Sequence, residues 1–297
     1  MAKVSIVVAT YRREKELARA LDSLRNQSFK DIEIVIVDDN ADEKYNSFVA
    51  QVVESFVQEN PDIPLKYIKN EQNKGSAETR NTGIRQSRGE YITFLDDDDV
   101  YLPEKVEAQL RFMEKEGCDY SVTDLNLYNE ADKLIRRRTR KYIKSTSREN
   151  LFRDHLKHHI TGTDAMMFTK KYLDEIGGFP PIDVGDEFYL MHRAIEGSGK
   201  FGYLPVCHIK AYVHTNGGGL SSGAGKVDGE NYLYRFKEKY FDKLDKKTIR
   251  YIKMRHYAVL TFVALRNRKI TDFIRYAVNA FLRAPVECIK MVVNKDF

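Results

Sequence analysis

The sequence predicts an α/β fold, a mainly parallel sheet flanked by helices, followed by a C-terminal helical extension. Three observations carry this. Short apolar runs alternate with stretches of helical periodicity through the first hundred residues. Three of those runs end in polar clusters: Thr10-Tyr11-Arg12, Asp38-Asp39-Asn40 and Asp96–Asp99. Beyond about residue 226 the pattern stays helical to the end, with a break at Pro285.

Val4–Ala9 is an apolar run suited to a buried parallel strand. Leu17, Ala20, Leu21 and Leu24 then recur at helical spacing on one face. Ile32–Val37 is a second strand, and Phe48, Val52 and Phe56 mark a second helix. Leu65–Ile68 reads as a third strand, followed by a helix over Ala77–Gln86 whose start is set by Gly75-Ser76. Tyr91–Leu95 is a fourth strand running into Asp96. Pro103 opens the next helix at a first-turn position, with Val106, Leu110 and Met113 inward. Open sheets built this way bind ligands beyond the carboxyl ends of their strands, where the three polar clusters fall. The middle, about 120–213, is mixed. It holds a basic run at Arg136–Lys141, histidines at 155, 158 and 159, a Gly177-Gly178-Phe179-Pro180 turn and a helix from Asp186 to about Glu196.

The 297 residues, 42% of them apolar, suffice for one large α/β domain with an appendage. Cys118, Cys207 and Cys288 form neither a CxxC pair nor a zinc spacing, which points to free thiols in a reducing compartment. The N-terminus lacks the pattern of a signal peptide, and no apolar run approaches the roughly 20 residues that span a bilayer. The expectation is a cytoplasmic protein, soluble or peripheral at the inner face of the cell membrane. Formal charge is +5, yet residues 231–297 hold 16 Lys/Arg against 6 Asp/Glu, so 16 − 6 = +10 there and 5 − 10 = −5 elsewhere. A basic tail on a mildly acidic body predicts an anionic surface or substrate for the tail.

Four consecutive carboxylates, Asp96, Asp97, Asp98 and Asp99, repel one another unless a cation neutralises them. Oxygen ligands suit Mg²⁺ or Mn²⁺, which takes further ligands from a diphosphate; the plainer alternative is a solvated turn. Asp38 and Asp39 suit ribose hydroxyls or a base N–H, or a helix cap. Lys74, Gly75 and Arg80 sit at a helix start, where backbone and cations suit diphosphate oxygens. Asp186 and Glu187 open a helix, a place the dipole favours for acids and where one of them can serve as general base. His214 precedes a glycine-rich stretch, Gly217–Gly225, that reads as a lid; it is a metal ligand, a phosphate contact or structural.

Together these pieces resemble the inverting family 2 glycosyltransferases of GT-A fold, of the non-processive bacterial type, over Val4 to about Ser222. Ser5–Arg12 resembles the family's opening strand and turn, so Thr10, Tyr11 and Arg12 are implied in donor binding. Val37–Asn40 resembles the nucleotide-binding strand end, and Asn73-Lys74-Gly75 with Ala77, Arg80-Asn81 and Gly83 the next motif. Phe94–Asp99 resembles the DxD motif, and Ile176–Phe179 the turn before the catalytic helix. The resemblance implies that Asp38 or Asp39 holds uracil or ribose. It places Asp96 in the nucleotide-sugar site or at the metal and Asp98 at the metal; Asp97 joins the nucleotide-sugar site, and His214, from its position, is the candidate third ligand. The family's base is the Asp of a Glu-Asp pair six residues before an Arg. Here Arg193 puts Glu187 at that position, after Asp186 rather than Glu. Either acid is then a candidate, with Glu187 preferred. The QxxRW motif of processive members is missing, since the chain has no Trp.

The implied reaction transfers one hexosyl or N-acetylhexosaminyl unit from a UDP-sugar to a saccharide or lipid-linked acceptor, in surface polysaccharide or glycan synthesis. The expected layout is a catalytic domain over 1–225, with nucleotide-sugar and acceptor halves dividing near residue 100, then a basic extension over 226–297. Basic amphipathic helices in that extension predict contact with an anionic leaflet, packing on the catalytic domain, or a homo-oligomer. Two rivals remain: a nucleotidyltransferase, whose glycine-rich loop after the first strand is replaced by Thr10-Tyr11-Arg12-Arg13, and an inactive sugar-nucleotide-binding module. No nucleic-acid motif accompanies the basic residues, so nucleic acid is not an expected partner.

Overall fold

The apolar runs become the centre of a sheet. β1 (Val4–Thr10), β2 (Ile32–Asp38), β3 (Leu65–Lys69) and β4 (Tyr91–Asp96) are linked by α1 (Lys15–Arg25), α2 (Glu43–Glu59) and α3 (Gly75–Gln86). These are the first elements of a computed structural model that describes residues 2–13, 15–182, 184–214 and 224–294. There follow β5 (Val100–Tyr101), α4 (Lys105–Glu116), β6 (Tyr120–Thr123), β7 (Leu125–Asn129), β8 (Leu134–Arg138) and α5 (Arg148–His158). Next come β9 (Met166–Thr169), α6 (Lys170–Glu175), α7 (Asp186–Glu196), β10 (Phe201–Leu204) and β11 (Ile209–Val213). The chain then continues through α8 (Ala224–Glu238), α9 (Lys246–Arg266), α10 (Ile270–Arg283) and α11 (Pro285–Asn294).

One seven-stranded sheet has the order β10-β6-β9-β4-β1-β2-β3. Its pairs are parallel except at β9, which runs antiparallel to both β4 and β6. A second, four-stranded sheet, β5-β11-β7-β8, was not foreseen from the sequence. Val4, Ile6 and Val8 of β1 join a core with Leu17, Leu21 and Leu24 of α1, Val49 and Phe56 of α2, and Val106 and Leu110 of α4. On the opposite face Val7 lies directly over Gly83 of α3, where an added Cβ would overlap the valine. Pro103 stands before the helix rather than in its first turn: Lys105 N bonds Leu102 O at 3.0 Å, so Pro103-Glu104 form the turn that leads in.

The chain forms two compact units, residues 1–151 with 160–214, and residues 152–159 with 215–297. In the second, Met254, Ala258, Ala280, Ala284 and Met291 pack together. The predicted histidine cluster belongs to this unit, with His158 at 3.3 Å from Tyr251 and His159 at 2.6 Å from Lys237. Of the stretch read as a lid, 217–223 lie outside the described residues, and Ala224-Gly225 open α8.

Candidate active site

Parallel register brings the three polar clusters together. Thr10 pairs with Asp38 across β1 and β2, and Ala9 with Asp96 across β1 and β4, so the strands end on one rim. Asp39 N bonds Thr10 O at 3.0 Å. Two non-glycine residues on this rim, Arg12 (φ 54°) and Ala41 (φ 50°), adopt left-handed backbone. Such geometry costs about 1–2 kcal/mol and persists only where surroundings enforce it. At Arg12 the enforcing contact is its N–H donating to Asn40 Oδ1 at 2.7 Å. The Arg12 guanidinium lies 5.1 Å from the exposed Tyr11 ring and 5.4 Å from that of Tyr45. This offers a cation and an open aromatic face together.

Asp38 and Asp39 are both buried and both already occupied. Asp38 Oδ1 accepts from the Asn40 backbone (2.9 Å) and side chain (2.7 Å), and Oδ2 from the Tyr67 hydroxyl at 2.7 Å. Asp39 accepts from Asn70 Nδ2 (2.8 Å), Lys74 N (2.8 Å) and Gly75 N (2.9 Å), and so receives the first free N–H groups of α3. The Gly75 N–H is thereby turned inward, while the Lys74 side chain is exposed.

The four acids at the end of β4 separate by environment. Asp97 accepts from Tyr11 N at 3.1 Å, and burial, reinforced by Asp98, pushes its carboxyl up to about 8. Asp96 is raised by burial and by Asp164, against the pull of Arg80. Asp99 is raised well above the usual range by burial and Asp164, and it accepts from Tyr212 N at 2.7 Å. Asp98 Oδ2 meets Arg13 Nη2 at 2.9 Å and His214 Nε2 at 2.9 Å.

Two groupings here resemble a cation site. Asp96, Asp99 and Asp164 can bring carboxylate oxygens within 4.8 Å of one another. Asp99 and Asp164 are only 5% and 3% exposed, so this group opens to solvent through Asp96 alone. The Asp98 and His214 side chains keep 18% and 20% exposure. Their 2.9 Å separation matches the edge of an octahedron with bonds of ~2.1 Å, and an oxygen with an imidazole nitrogen is an acceptable donor pair for Mn²⁺. The second pair therefore fits a metal that must also meet phosphate, while Asp96, the third expected ligand, bonds Arg80.

Arg80 spans the rim. Its guanidinium donates to Asp96 Oδ1 at 2.6 Å and Asp186 Oδ2 at 2.7 Å. Burial would lower its pKa, but the carboxylates of Asp96 and Asp186 outweigh that and raise it. Asp186 also accepts from Ser76 Oγ (2.9 Å) and Glu187 N (2.9 Å), so its oxygens are committed. Glu187 beside it is raised by burial and by the Asp186 charge. The Gly177-Gly178 turn closes α6, with Gly178 N bonded to Leu173 O at 3.1 Å, and its carbonyls accept from Arg193 of α7 at 3.3 and 3.1 Å. Gly178 (φ 61°) packs so closely that a Cβ would sit 2.5 Å from Asn81 Oδ1. Asn81 also exchanges two hydrogen bonds with the Phe179 backbone, at 2.9 and 2.8 Å. The structure brings the expected Glu187, Asp186, Arg80, Asp98 and His214 to this rim, with Ser76, Asn81, Arg13, Asp164 and Glu130 as contacts that the sequence did not single out. Ser76 and Asn81 are uncharged, and no local pattern links any of the five to its partner.

Residues 5–177 match the family model described as glycosyl transferase family 2. The chain belongs to that family. An uncharacterised glycosyltransferase of Haemophilus influenzae is 38% identical over 112 residues, covering 38% of this chain and 35% of the relative. The UDP-Glc:alpha-D-GlcNAc-diphosphoundecaprenol beta-1,3-glucosyltransferase WfaP of Escherichia coli is 33% identical over 135 residues, covering 46% and 50%. The match thus spans about half or less of these two relatives' lengths. The mannosyltransferase PcManGT of Pyrobaculum calidifontis, solved with GDP-Man and Mn²⁺, superposes with a TM-score of 0.64 at 16% identity, covering 98% of this chain and 86% of that one. At that identity the likeness establishes the GT-A fold of this family 2 glycosyltransferase.

Proposed function

We propose that this glycosyltransferase moves one hexosyl or N-acetylhexosaminyl unit from a UDP-sugar to a hydroxyl of a saccharide or lipid-linked glycan, with inversion. The product would enter cell-surface polysaccharide or glycan synthesis. The observation that carries the reading is the contrast between Asp186 and Glu187. Asp186 is fully engaged by Arg80, Ser76 and the Glu187 N–H, whereas Glu187 is half-buried, raised in pKa and adjacent to the same rim. A base of raised pKa takes a hydroxyl proton more readily than an ordinary carboxylate. In the step proposed, Glu187 accepts the acceptor proton as the hydroxyl oxygen bonds to the anomeric carbon. The bond from that carbon to the diphosphate oxygen breaks, and its electron pair leaves with UDP. Attack opposite the leaving group inverts the centre.

Tyr11 and Arg12 would take the base, with Thr10, Asp38 and Asp39 shaping the loop beneath it. Lys74 would meet the diphosphate. Asp98 and His214 would hold Mn²⁺ or Mg²⁺, which when bound offsets charge on the leaving diphosphate. Glu187→Gln is expected to lower kcat by about 10²–10⁴-fold while donor KM changes only a few-fold. A kcat near wild type in steady-state UDP release removes Glu187 from this role.

The second unit supports a surface partner. Most large hydrophobic side chains left exposed among the described residues lie between Phe262 and Val293. Ile270, Ile274, Val278, Phe281 and Leu282 form one face of α10, and Val286, Ile289 and Val293 one face of α11. Arg266, Arg268, Lys269, Arg275 and Lys290 are exposed among them. No described helix is long and apolar enough to cross a membrane. An apolar face edged with cations suits an anionic leaflet, at the cytoplasmic side of the cell membrane, where a lipid-linked acceptor would be met.

A further inference from the structure

His214 is gripped from both sides, and the second grip has no part in the reaction so far described. Nε2 lies 2.9 Å from Asp98 Oδ2, and Nδ1 lies 3.0 Å from Glu130 Oε1. The register explains the meeting. β11 and β7 pair in parallel with Val213 opposite Asn129, so the residues that follow each strand, His214 and Glu130, emerge side by side. The β7–β8 turn that carries Glu130 is pinned in place. Asn129 Oδ1 accepts from Ala131 N (3.1 Å) and Lys133 N (2.9 Å). Asp132, in left-handed backbone (φ 54°), takes Lys210 Nζ at 3.1 Å and the Tyr212 hydroxyl at 2.7 Å, both from β11. Tyr212 N in turn donates to Asp99, which ties β11 to the acidic segment.

We propose that Glu130 is a positioning residue: it accepts a hydrogen bond from His214 Nδ1–H and so presents the Nε2 lone pair, beside Asp98, to a divalent cation. The inference rests on the reading of Asp98 and His214 as metal ligands. Neutral imidazole has one N–H and one lone pair, and an ionised carboxylate can only accept. Glu130 therefore suits the tautomer with hydrogen on Nδ1, and when a cation takes the Nε2 lone pair beside Asp98 that tautomer is the one the ring must hold. Arg13 Nη2 already lies 2.9 Å from this Asp98 oxygen, and with hydrogen on Nδ1 the Nε2 lone pair faces the same carboxylate at 2.9 Å, an arrangement that a divalent cation ligated by both atoms stabilises. Carboxylates behind metal-bound histidines hold the ring in register and strengthen it as a ligand, and their loss typically lowers metal affinity by about 10–100-fold.

The test is Mn²⁺ titration of the full chain in the presence of UDP, with free Mn²⁺ read by electron paramagnetic resonance. Glu130→Ala, Glu130→Gln, His214→Ala and the Glu130→Ala/His214→Ala double variant are compared. Melting curves confirm that each folds, which is expected because Glu130 lies on an exposed turn. Glu130→Ala should bind Mn²⁺ about 10–100-fold more weakly, and Glu130→Gln less so, since its amide oxygen still accepts. The double variant should bind no more weakly than His214→Ala, because Glu130 acts through that ring. Wild-type affinity in Glu130→Ala alongside weak binding in His214→Ala overturns the positioning role alone, as does a double variant whose loss is the product of the single losses. Wild-type affinity in His214→Ala overturns the metal role of His214, and this proposal with it.

Discussion

Asp186 and Glu187 are neighbours with the same functional group, and they differ in what each already holds. Arg80 and Ser76 fix Asp186 in place; Arg80 bridges it to Asp96, and its charge raises Glu187. The sign of the resulting pH dependence is set by Glu187 as base. It works only when deprotonated, so kcat/KM should fall as pH drops through an apparent pKa well above the ordinary carboxylate range. Rates measured from pH 5 to 9 with donor below KM would show this limb, and Glu187→Gln should flatten what activity remains. A limb at ordinary carboxylate pKa in the wild-type chain would contradict the assigned environment. The reversed order of the pair was visible in the sequence, but the reason was not. Ser76 and Arg80 lie more than a hundred residues before Asp186, and no local pattern links them.

At the scale of elements, the turn that closes α6 and holds Arg193 of α7 is one that only glycine fits. Gly178 combines left-handed backbone with a Cβ position 2.5 Å from Asn81 Oδ1. Gly178→Ala must strain the turn or displace Asn81, and should destabilise the chain by more than about 1 kcal/mol in urea unfolding. Its kcat should fall as well, because Arg193 ties α7, and with it Glu187, to this turn; unchanged stability and rate would show the turn to be slack. The strands around this site differ in how well the sequence announces them. β1, β2 and β4 are covered on both faces and read as continuous apolar runs. β8 (Leu-Ile-Arg-Arg-Arg) and β11 (Ile-Lys-Ala-Tyr-Val) are short, polar and partly exposed, so the second sheet left no periodic trace. The antiparallel β9 is hidden for another reason: a four-residue buried strand looks like any apolar patch. Asp38 and Asp39 were legible as rim residues, while their internal work, capping α3 and holding Asn40, depends on Asn70 and Tyr67 from a different strand and loop.

Across the whole molecule, the charge asymmetry read from composition acquires a location. Residues 231–297 carry the basic excess, and the structure leaves the apolar faces of α10 and α11 exposed in the same segment. The full chain should float with liposomes containing anionic lipid, and Ile274→Asp with Leu282→Asp should abolish flotation. High salt should weaken it, since surface attraction is screened beyond a Debye length. Equal flotation with neutral lipid, or a dimer in sedimentation that those substitutions dissolve, would assign the face to protein instead.

The central claim, transfer from a nucleotide sugar at this rim, is tested most directly by nucleoside diphosphate release. The full chain would be incubated with a panel of UDP- and GDP-sugars, with Mn²⁺, with Mg²⁺ and with chelator. The account predicts slow release from one UDP-sugar that chelator stops and Asp98→Ala reduces by about 10²-fold or more. Release that ignores chelator would contradict the metal reading. No release from any donor, with no metal-dependent UDP binding, would contradict the transferase reading of this site.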